Sequence, residues 1–226
     1  QWEGDWAGKP VVWEPWQKFM LMQMYGWKRK VNDRRRFNTV YCQVAKKNGK
    51  STLAAVCGDG HLFADYRVNT PKVFTAANNE DQAKISGNMA GQIVKSSPDL
   101  YEYVEDGSVK LMTYGKDITQ VIHRERNGFI MALSKETDDS SSKTAGGKHG
   151  INASLGIVDE FGMSKDYGAS GAIKTSMASR AERLMFYITT AGYNKDGPCF
   201  TDLRDTGIKV LEGVLEMDNY LPLIFE

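Results

Sequence analysis

Lys50 and Ser51, at the end of the turn Lys46-Lys47-Asn48-Gly49, are the side chains of this sequence best equipped for phosphate chemistry. A β-branched and aromatic run, Phe37 to Val44 (FNTVYCQV), precedes the turn, and a small-residue helical segment, Thr52 to Cys57 (TLAAVC), follows it. Strand, glycine turn and helix start are the context that gives such a motif physical meaning. The first-turn N–H groups of a helix have no internal partner and sit at the positive end of its dipole, so they bind phosphate oxygens. Residues Lys46, Lys47, Asn48, Gly49, Lys50, Ser51 and Thr52 are therefore expected to cradle the phosphates of a nucleotide. Lys50 would reach the terminal phosphates, and the Ser51 hydroxyl would coordinate Mg²⁺. Val44 stands where the usual GxxxxGK[ST] pattern has its first glycine.

A second motif completes the chemistry. Leu155-Gly156-Ile157-Val158-Asp159-Glu160 is an apolar run ending in adjacent carboxylates. Such a run suits a strand of a parallel sheet covered on both faces, and ligands in these sheets sit outside the carboxyl ends of the strands. Asp159 would hold Mg²⁺, a hard ion that prefers carboxylate and water oxygens. Glu160 would be the general base that orients or deprotonates an attacking water. The alternative for the pair alone is a cap on the next helix. Thr189-Thr190-Ala191-Gly192 follows another apolar run, so a hydroxyl of Thr189 or Thr190 could also face the γ-phosphate or the water. A plain strand-terminating turn is the alternative there.

The elements needed to position these groups can be traced along the chain. Pro15 suits the first position of a helix running from Trp16 to Trp27. All five tryptophans (Trp2, Trp6, Trp13, Trp16, Trp27) fall in residues 1–36. This aromatic-rich lead-in could cover one sheet edge, or simply staple the core, and is taken as separate from a core spanning 37–226. Strands are expected at 37–44, Val68 to Ala76, Phe129 to Ser134, 154–159 and Leu184 to Thr190. Helices are expected at 51–64, 78–96, 98–105, 165–183 and 200–217. Residues 97–127 hold a hairpin or an irregular excursion, and 135–152, rich in Ser, Thr, Gly and Lys, reads as a long loop. Alternating strands and helices argue a parallel sheet with right-handed crossovers.

Composition bounds the rest. The chain has 226 residues, 41% hydrophobic and 25% charged, ordinary for one large α/β domain. Its formal net charge of +1 makes no global case for nucleic-acid binding. A local patch at Lys28-Arg29-Lys30 and Arg34-Arg35-Arg36 could make one, or be a solvated basic loop. Cys42, Cys57 and Cys199 are too widely spaced for zinc and fit reduced thiols in a cytosolic compartment. No apolar run is long enough to span a membrane. The Gln1 start and the LPLIFE end predict a piece of a longer chain.

In this order the motifs resemble the ATPase domain of the large terminase subunit of tailed bacteriophages, of the HK97-like type. EPWQ (Glu14 to Gln17) looks like the family's adenine-sensing motif, with Gln17 reading the base. VAKKNGKSTLAA resembles its Walker A, which commonly lacks the first glycine. TAANNEDQA looks like the segment after the second strand, LGIVDEFG resembles Walker B with the catalytic Glu, and TTAG the coupling motif. The resemblance implies an α/β P-loop NTPase of the ASCE (RecA-like) type with a mainly parallel central sheet flanked by helices. It implies Mg-dependent ATP hydrolysis without DNA cleavage, with Glu160, Lys50 and Lys46 catalytic and Thr189, Thr190 and Gly192 coupling. Lys46 occupies the position of a cis arginine, and Arg124, Arg126 and Lys148 are candidate trans fingers from a neighbour. Implied partners are double-stranded DNA gripped without sequence preference, the portal protein, the small terminase subunit and further copies in a ring, typically a pentamer. The implied location is the host cytoplasm, transiently docked on the procapsid. Another RecA-like or helicase-type ATPase, or a nucleotide-binding assembly module inactive alone, are the competing readings.

Overall fold

Eight strands form one sheet, β1 (Thr39–Gln43), β2 (Lys72–Ala76), β3 (Val109–Tyr114), β4 (Asp117–His123), β5 (Gly128–Ala132), β6 (Leu155–Asp159), β7 (Leu184–Thr189) and β8 (Tyr220–Ile224), in the spatial order β3-β4-β5-β2-β6-β7-β1-β8. The computed structural model describes residues 9–77, 80–133, 151–192 and 194–225. From β5 to β8 every pairing is parallel; the β3–β4 hairpin adds antiparallel strands at one end. The helices are α1 (Pro15–Gly26), α2 (Lys50–Asp59), α3 (Glu80–Ser96), α4 (Pro98–Glu105), α5 (Gly168–Ser176) and α6 (Asp205–Leu211).

Side chains alternate across a strand, so each central strand feeds two cores. Val40, Cys42, Leu155 and Ile157 join Met20 and Met24 of α1, Leu53 and Cys57 of α2 and Ala90 and Val94 of α3 on one face. Tyr41, Val158, Met185 and Tyr187 meet Ile173 of α5, Leu203 and Cys199 on the other. This double coverage explains why all positions of β6 and β7 are buried and why the two strands read as unbroken apolar runs. Burial pushes the Cys42 and Cys57 thiols up to about 12, which leaves them unreactive.

Each expected element has a counterpart among the described residues, most with shorter bounds; α4 matches its expected range, and residues 78, 79 and 134 of the expected elements lie outside the described residues. The second strand begins at Lys72, not Val68, because Pro71 lacks an N–H for the ladder. The expected helix 51–64 is α2 followed by a π-helical turn over Gly60–Ala64. In place of a helix across 165–183 there is only α5, preceded by a 3₁₀ turn at Phe161–Met163. The last helix is a π turn (Cys199–Arg204) running into α6, which stops before Gly213, whose φ of 72° ends helices readily. The excursion in 97–127 is α4 plus the β3–β4 hairpin, and the closing apolar run is β8 beside β1. Trp2, Trp6 and most of the loop 135–152 lie outside the described residues.

The described part of the lead-in, residues 9–36, packs on the core. Met20 and Met24 of α1 are fully buried, and the Trp16 ring meets Phe225, just past the edge strand β8, at 5.3 Å. At the opposite end of α1, Arg35 is buried, donates to the Met24 carbonyl at 3.0 Å and pairs with buried Asp65. Asp65 also lies 3.5 Å from His61 Nδ1, whose Nε2 is 2.9 Å from Ser154 Oγ. That is the order of a hydrolase triad, but His61 and Ser154 have no exposed surface and Ser154 Oγ also accepts from the Lys72 N–H at 2.8 Å. It latches β2 and β6 to the π turn instead of attacking a substrate. Truncation of one partner of a buried ion pair leaves a bare charge, at a cost of about 3–5 kcal/mol. Arg35→Ala is therefore expected to lower unfolding stability by about that amount in urea titration, with the denaturant midpoint displaced accordingly.

Candidate active site

The loop between β1 and α2 is held in shape by its own polar groups. Lys47 and Gly49 adopt left-handed φ values of 66° and 67°, and a side chain at Gly49 would be strained there. The Asn48 amide donates to the carbonyls of Ala45 at 3.1 Å and Lys46 at 3.3 Å. Lys50 Nζ donates to the Ala45 carbonyl at 3.2 Å, so its ammonium lies over the loop. Val44, in place of a glycine, is 6% exposed and continues the ladder by donating to the Thr189 carbonyl at 3.0 Å. Lys46 and Lys47 are exposed on the outer turn. The N–H groups of Lys50, Ser51 and Thr52 open α2 and carry its positive dipole end.

Across β7, the acidic pair of β6 meets this loop. Ser51 Oγ donates to Asp159 Oδ2 at 2.9 Å. Burial pushes the Asp159 carboxyl above its ordinary range; the Ser51 bond pulls it back and the neighbouring Glu160 charge adds to the push. A hydroxyl and a carboxylate oxygen facing one another are hard donors that fit Mg²⁺. Among the described residues no cluster of three or more His, Cys, Asp or Glu could hold a metal. Ser51 and Asp159 would supply two oxygen ligands and leave the other positions of an ion to water and phosphate, as Mg²⁺ sites commonly do.

Glu160 follows with φ 55° and ψ 36°, a left-handed conformation that a non-glycine residue adopts at a cost of about 1–3 kcal/mol. Its N–H donates to the Ile188 carbonyl at 2.9 Å, which anchors the turn to β7. Its Oε2 accepts from Thr190 Oγ1 at 3.0 Å. Thr189 acts differently, since its hydroxyl accepts from the Gly162 N–H at 2.8 Å and donates to the Thr190 carbonyl at 2.9 Å. Gly192 packs directly on Gly162; a Cβ there would lie 2.1 Å from the Gly162 carbonyl oxygen. Thr190 and Gly192 thus lock the turn carrying Glu160 to the end of β7.

Gln17 joins the loop from α1. Its Oε1 accepts from the Glu14 N–H at 2.9 Å and its Nε2 donates to the Asn48 carbonyl at 3.3 Å. Beside it, Val11, Trp13, Trp16, Asn48 and Thr52 line a cleft of about 440 Å³. Trp13 and Trp16 give this cleft flat apolar walls able to stack on a base. Trp13 and Trp16 also pack against the core, as the staple alternative expects, and Trp16 meets Phe225 beside the edge strand; their place just before Gln17 is what sets them at the cleft.

The finger candidates fare differently. Arg124 and Arg126 lie in the turn joining β4 to β5, at the sheet edge away from the phosphate loop. Arg126 spends its guanidinium on the carbonyls of Leu62, Asp65 and Val68, so it is a clamp on its own chain, contrary to the expectation of a finger. Lys148 lies outside the described residues.

A glycine-turn loop, a Ser–carboxylate pair and an extra strand between the loop strand and the acidic strand define the P-loop NTPase fold of the RecA-like, additional-strand class. The chain belongs to the terminase large subunit ATPase domain family, whose model matches residues 15–206. It is 27% identical over 194 residues to the terminase large subunit of Enterobacteria phage HK97, covering 85% of this chain and 34% of that protein. It is 28% identical over 107 residues to protein YmfN of Escherichia coli strain K12, covering 47% of this chain and 21% of the relative. The crystal structure of the HK97 large terminase superposes with a TM-score of 0.73 at 24% identity, over 96% of this chain and 40% of that one. The large terminase of a thermophilic bacteriophage shares the fold, with a TM-score of 0.53 at 10% identity over 95% of this chain and 46% of that one. The chain spans about a third of the length of the phage HK97 relative.

Thr190 carries a prediction of its own. Replacing it by Val keeps the shape and removes the hydroxyl that aims Glu160. Turnover of ATP is expected to fall about tenfold or more, within the range of general-base effects, while nucleotide affinity measured by calorimetry stays within about twofold.

Proposed function

We propose that this chain is the ATP-hydrolysing motor domain of a viral DNA-packaging terminase, driving double-stranded DNA into procapsids. The observation that carries the reading is the paired geometry at the sheet edge: Ser51 bonded to Asp159 and Thr190 bonded to Glu160, on either side of one strand. Gln17 and the tryptophan-walled cleft supply a place for adenine. Membership of the terminase ATPase family supports the packaging role.

In this reading the α2 N-terminus and Lys50 neutralise the β- and γ-phosphates, and Lys46 supports the charge that develops on transfer. Ser51 and Asp159 would hold Mg²⁺, which would supply electrostatic stabilisation of that charge. Glu160 accepts the proton of the attacking water, and Thr190 keeps its carboxylate aimed at that water. Departure of the γ-phosphate removes a partner from the Glu160–Thr190 pair, and β7 transmits the change to the residues that follow it. DNA would be held through its phosphates without reading sequence. Working partners would be the portal protein, the small terminase subunit and further copies in a pentameric ring, on the procapsid in the host cytoplasm. With Arg126 committed to its own chain, a trans cation in such a ring would come from another part of the neighbour.

The test is Mg²⁺-dependent ATP hydrolysis against protein concentration, wild type beside Glu160→Gln. Expected is turnover that rises steeply with concentration and drops at least about a hundredfold in the variant, with ATP still bound. Equal turnover in both proteins would refute Glu160 as the base; bound ATP with no turnover at any concentration would favour a nucleotide-gated assembly module. Lys50→Ala is expected to weaken ATP binding about tenfold or more, the scale of one charge-assisted bond, and unchanged affinity would remove Lys50 from the phosphates.

A further inference from the structure

The basic run before β1 separates, in the fold, into structural and uncommitted arginines. Arg35 is buried against Asp65 and Glu182, and Arg36 pairs with Asp218 at 2.7 Å. Arg29 and Arg34 instead line a cleft of about 390 Å³, together with Arg35, Asn38, Arg180 and Arg183. The last two come from the stretch between α5 and β7, far away in sequence, so the fold concentrates charge that the net value of +1 conceals.

The bonds of these side chains show that their charge is unspent. Among the described residues Arg180 donates to neutral acceptors: Asn152 Oδ1 at 2.7 Å, Thr70 Oγ1 at 2.9 Å and the Asn152 carbonyl at 3.0 Å. Arg183 reaches the Ala178 carbonyl at 3.4 Å and Arg29 the Arg36 carbonyl at 3.5 Å. The Arg29 Nε is shielded from solvent and has no acceptor among the described residues. Among those residues, none of Arg29, Arg34, Arg180 and Arg183 has a carboxylate at ion-pair distance. Glu182 is the acid on this rim, and it faces the Arg35 N–H at 3.2 Å and the Arg35 guanidinium at 4.0 Å. Four like charges around one concavity repel each other unless an anion joins them, and guanidinium forks suit phosphate oxygens.

The cleft is separate from the nucleotide site. Asn38 and Arg183 precede β1 and β7, whereas the phosphate loop and Thr190 follow the same strands. Five residues at about 3.3 Å each set the two edges about 17 Å apart.

We propose that this arginine cleft holds the phosphodiester backbone of double-stranded DNA. The shared chemistry is phosphate recognition; the choice of DNA over a free polyphosphate rests on the motor reading above. The contacts proposed are to backbone phosphates, which position a duplex without reading its sequence.

The test uses Arg34→Gln combined with Arg183→Gln, exposed rim positions remote from the nucleotide site. Binding of a short labelled duplex is followed by fluorescence anisotropy across a salt series. Expected is affinity about tenfold weaker at low salt and a log K against log salt slope smaller by about 2, one phosphate contact per arginine. ATP hydrolysis without DNA should be unchanged. The Arg→Lys pair should keep the slope, because the charge remains, and Lys110→Gln with Lys116→Gln on the β3–β4 hairpin should leave binding as in the wild type. A slope unaltered by the Arg→Gln pair, an equal loss in the hairpin control, or no duplex binding by the wild type at low salt would overturn the proposal. Tripolyphosphate bound through Arg34 and Arg183 without competing with duplex would overturn the choice of DNA. Equal turnover in the Glu160 experiment, or none at all, would count against the motor reading alone, since duplex binding is scored independently of it.

Discussion

Parallel pairing of β6 with β7 and of β7 with β1, in one register, is the constraint on which everything else in the site depends. Asp159 stands opposite Ile188, and Gln43 opposite Thr189, so the strands end together. Only with those ends level can Ser51, one residue into α2, reach Asp159 two strands away. A slip of one residue would turn Asp159 toward the opposite core, because side chains alternate across a strand. The apolar saturation of both faces of β6 and β7 excludes such a slip. Packing thus fixes catalytic geometry before any polar contact is counted.

The carboxyl edge then carries its strain openly. Glu160 is left-handed, Lys47 and Gly49 are left-handed, and Gly162 touches Gly192 backbone to backbone. These departures cluster where the chain must turn sharply off a strand and present a side chain to a ligand. They are held by hydrogen bonds to β7, from the Glu160 and Val44 N–H groups to the Ile188 and Thr189 carbonyls. β7 is therefore the common support of the phosphate loop and the acidic turn. At the opposite edge the same strand emerges from the arginine cleft, so one short element touches both charged regions of the molecule.

Much of this was legible in the chain. The glycine turn, the apolar run ending in Asp-Glu and the Thr-Thr-Ala-Gly turn all report locally, since strand, loop and helix start are neighbours in sequence. Boundaries were less legible. Pro71 trimmed β2, Gly213 stopped α6, and the expected helix over 165–183 shrank to α5, which gives way after Ser176 to turns leading into β7. Arg126, basic and close to a strand in sequence, looked available for a neighbour, yet three carbonyls take up its guanidinium.

By itself, then, the sequence determined which residue types stand where: a glycine turn with Lys50 and Ser51, an apolar run ending in Asp159 and Glu160, and a Thr-Thr-Ala-Gly turn, in the order of one family. These are choices of residue type next to a local backbone signal, and such signals need no distant partner. Tertiary structure alone decided which groups meet. It put Thr190 on Glu160, Gln17 on the phosphate loop, Trp13 and Trp16 beside it, and Arg180 with Arg29 across a cleft. It also decided which charges are spent, burying Arg35 on Asp65 while leaving Arg34 in water. Ion pairing and burial depend on distances through space, and those distances exist only once the strands have paired.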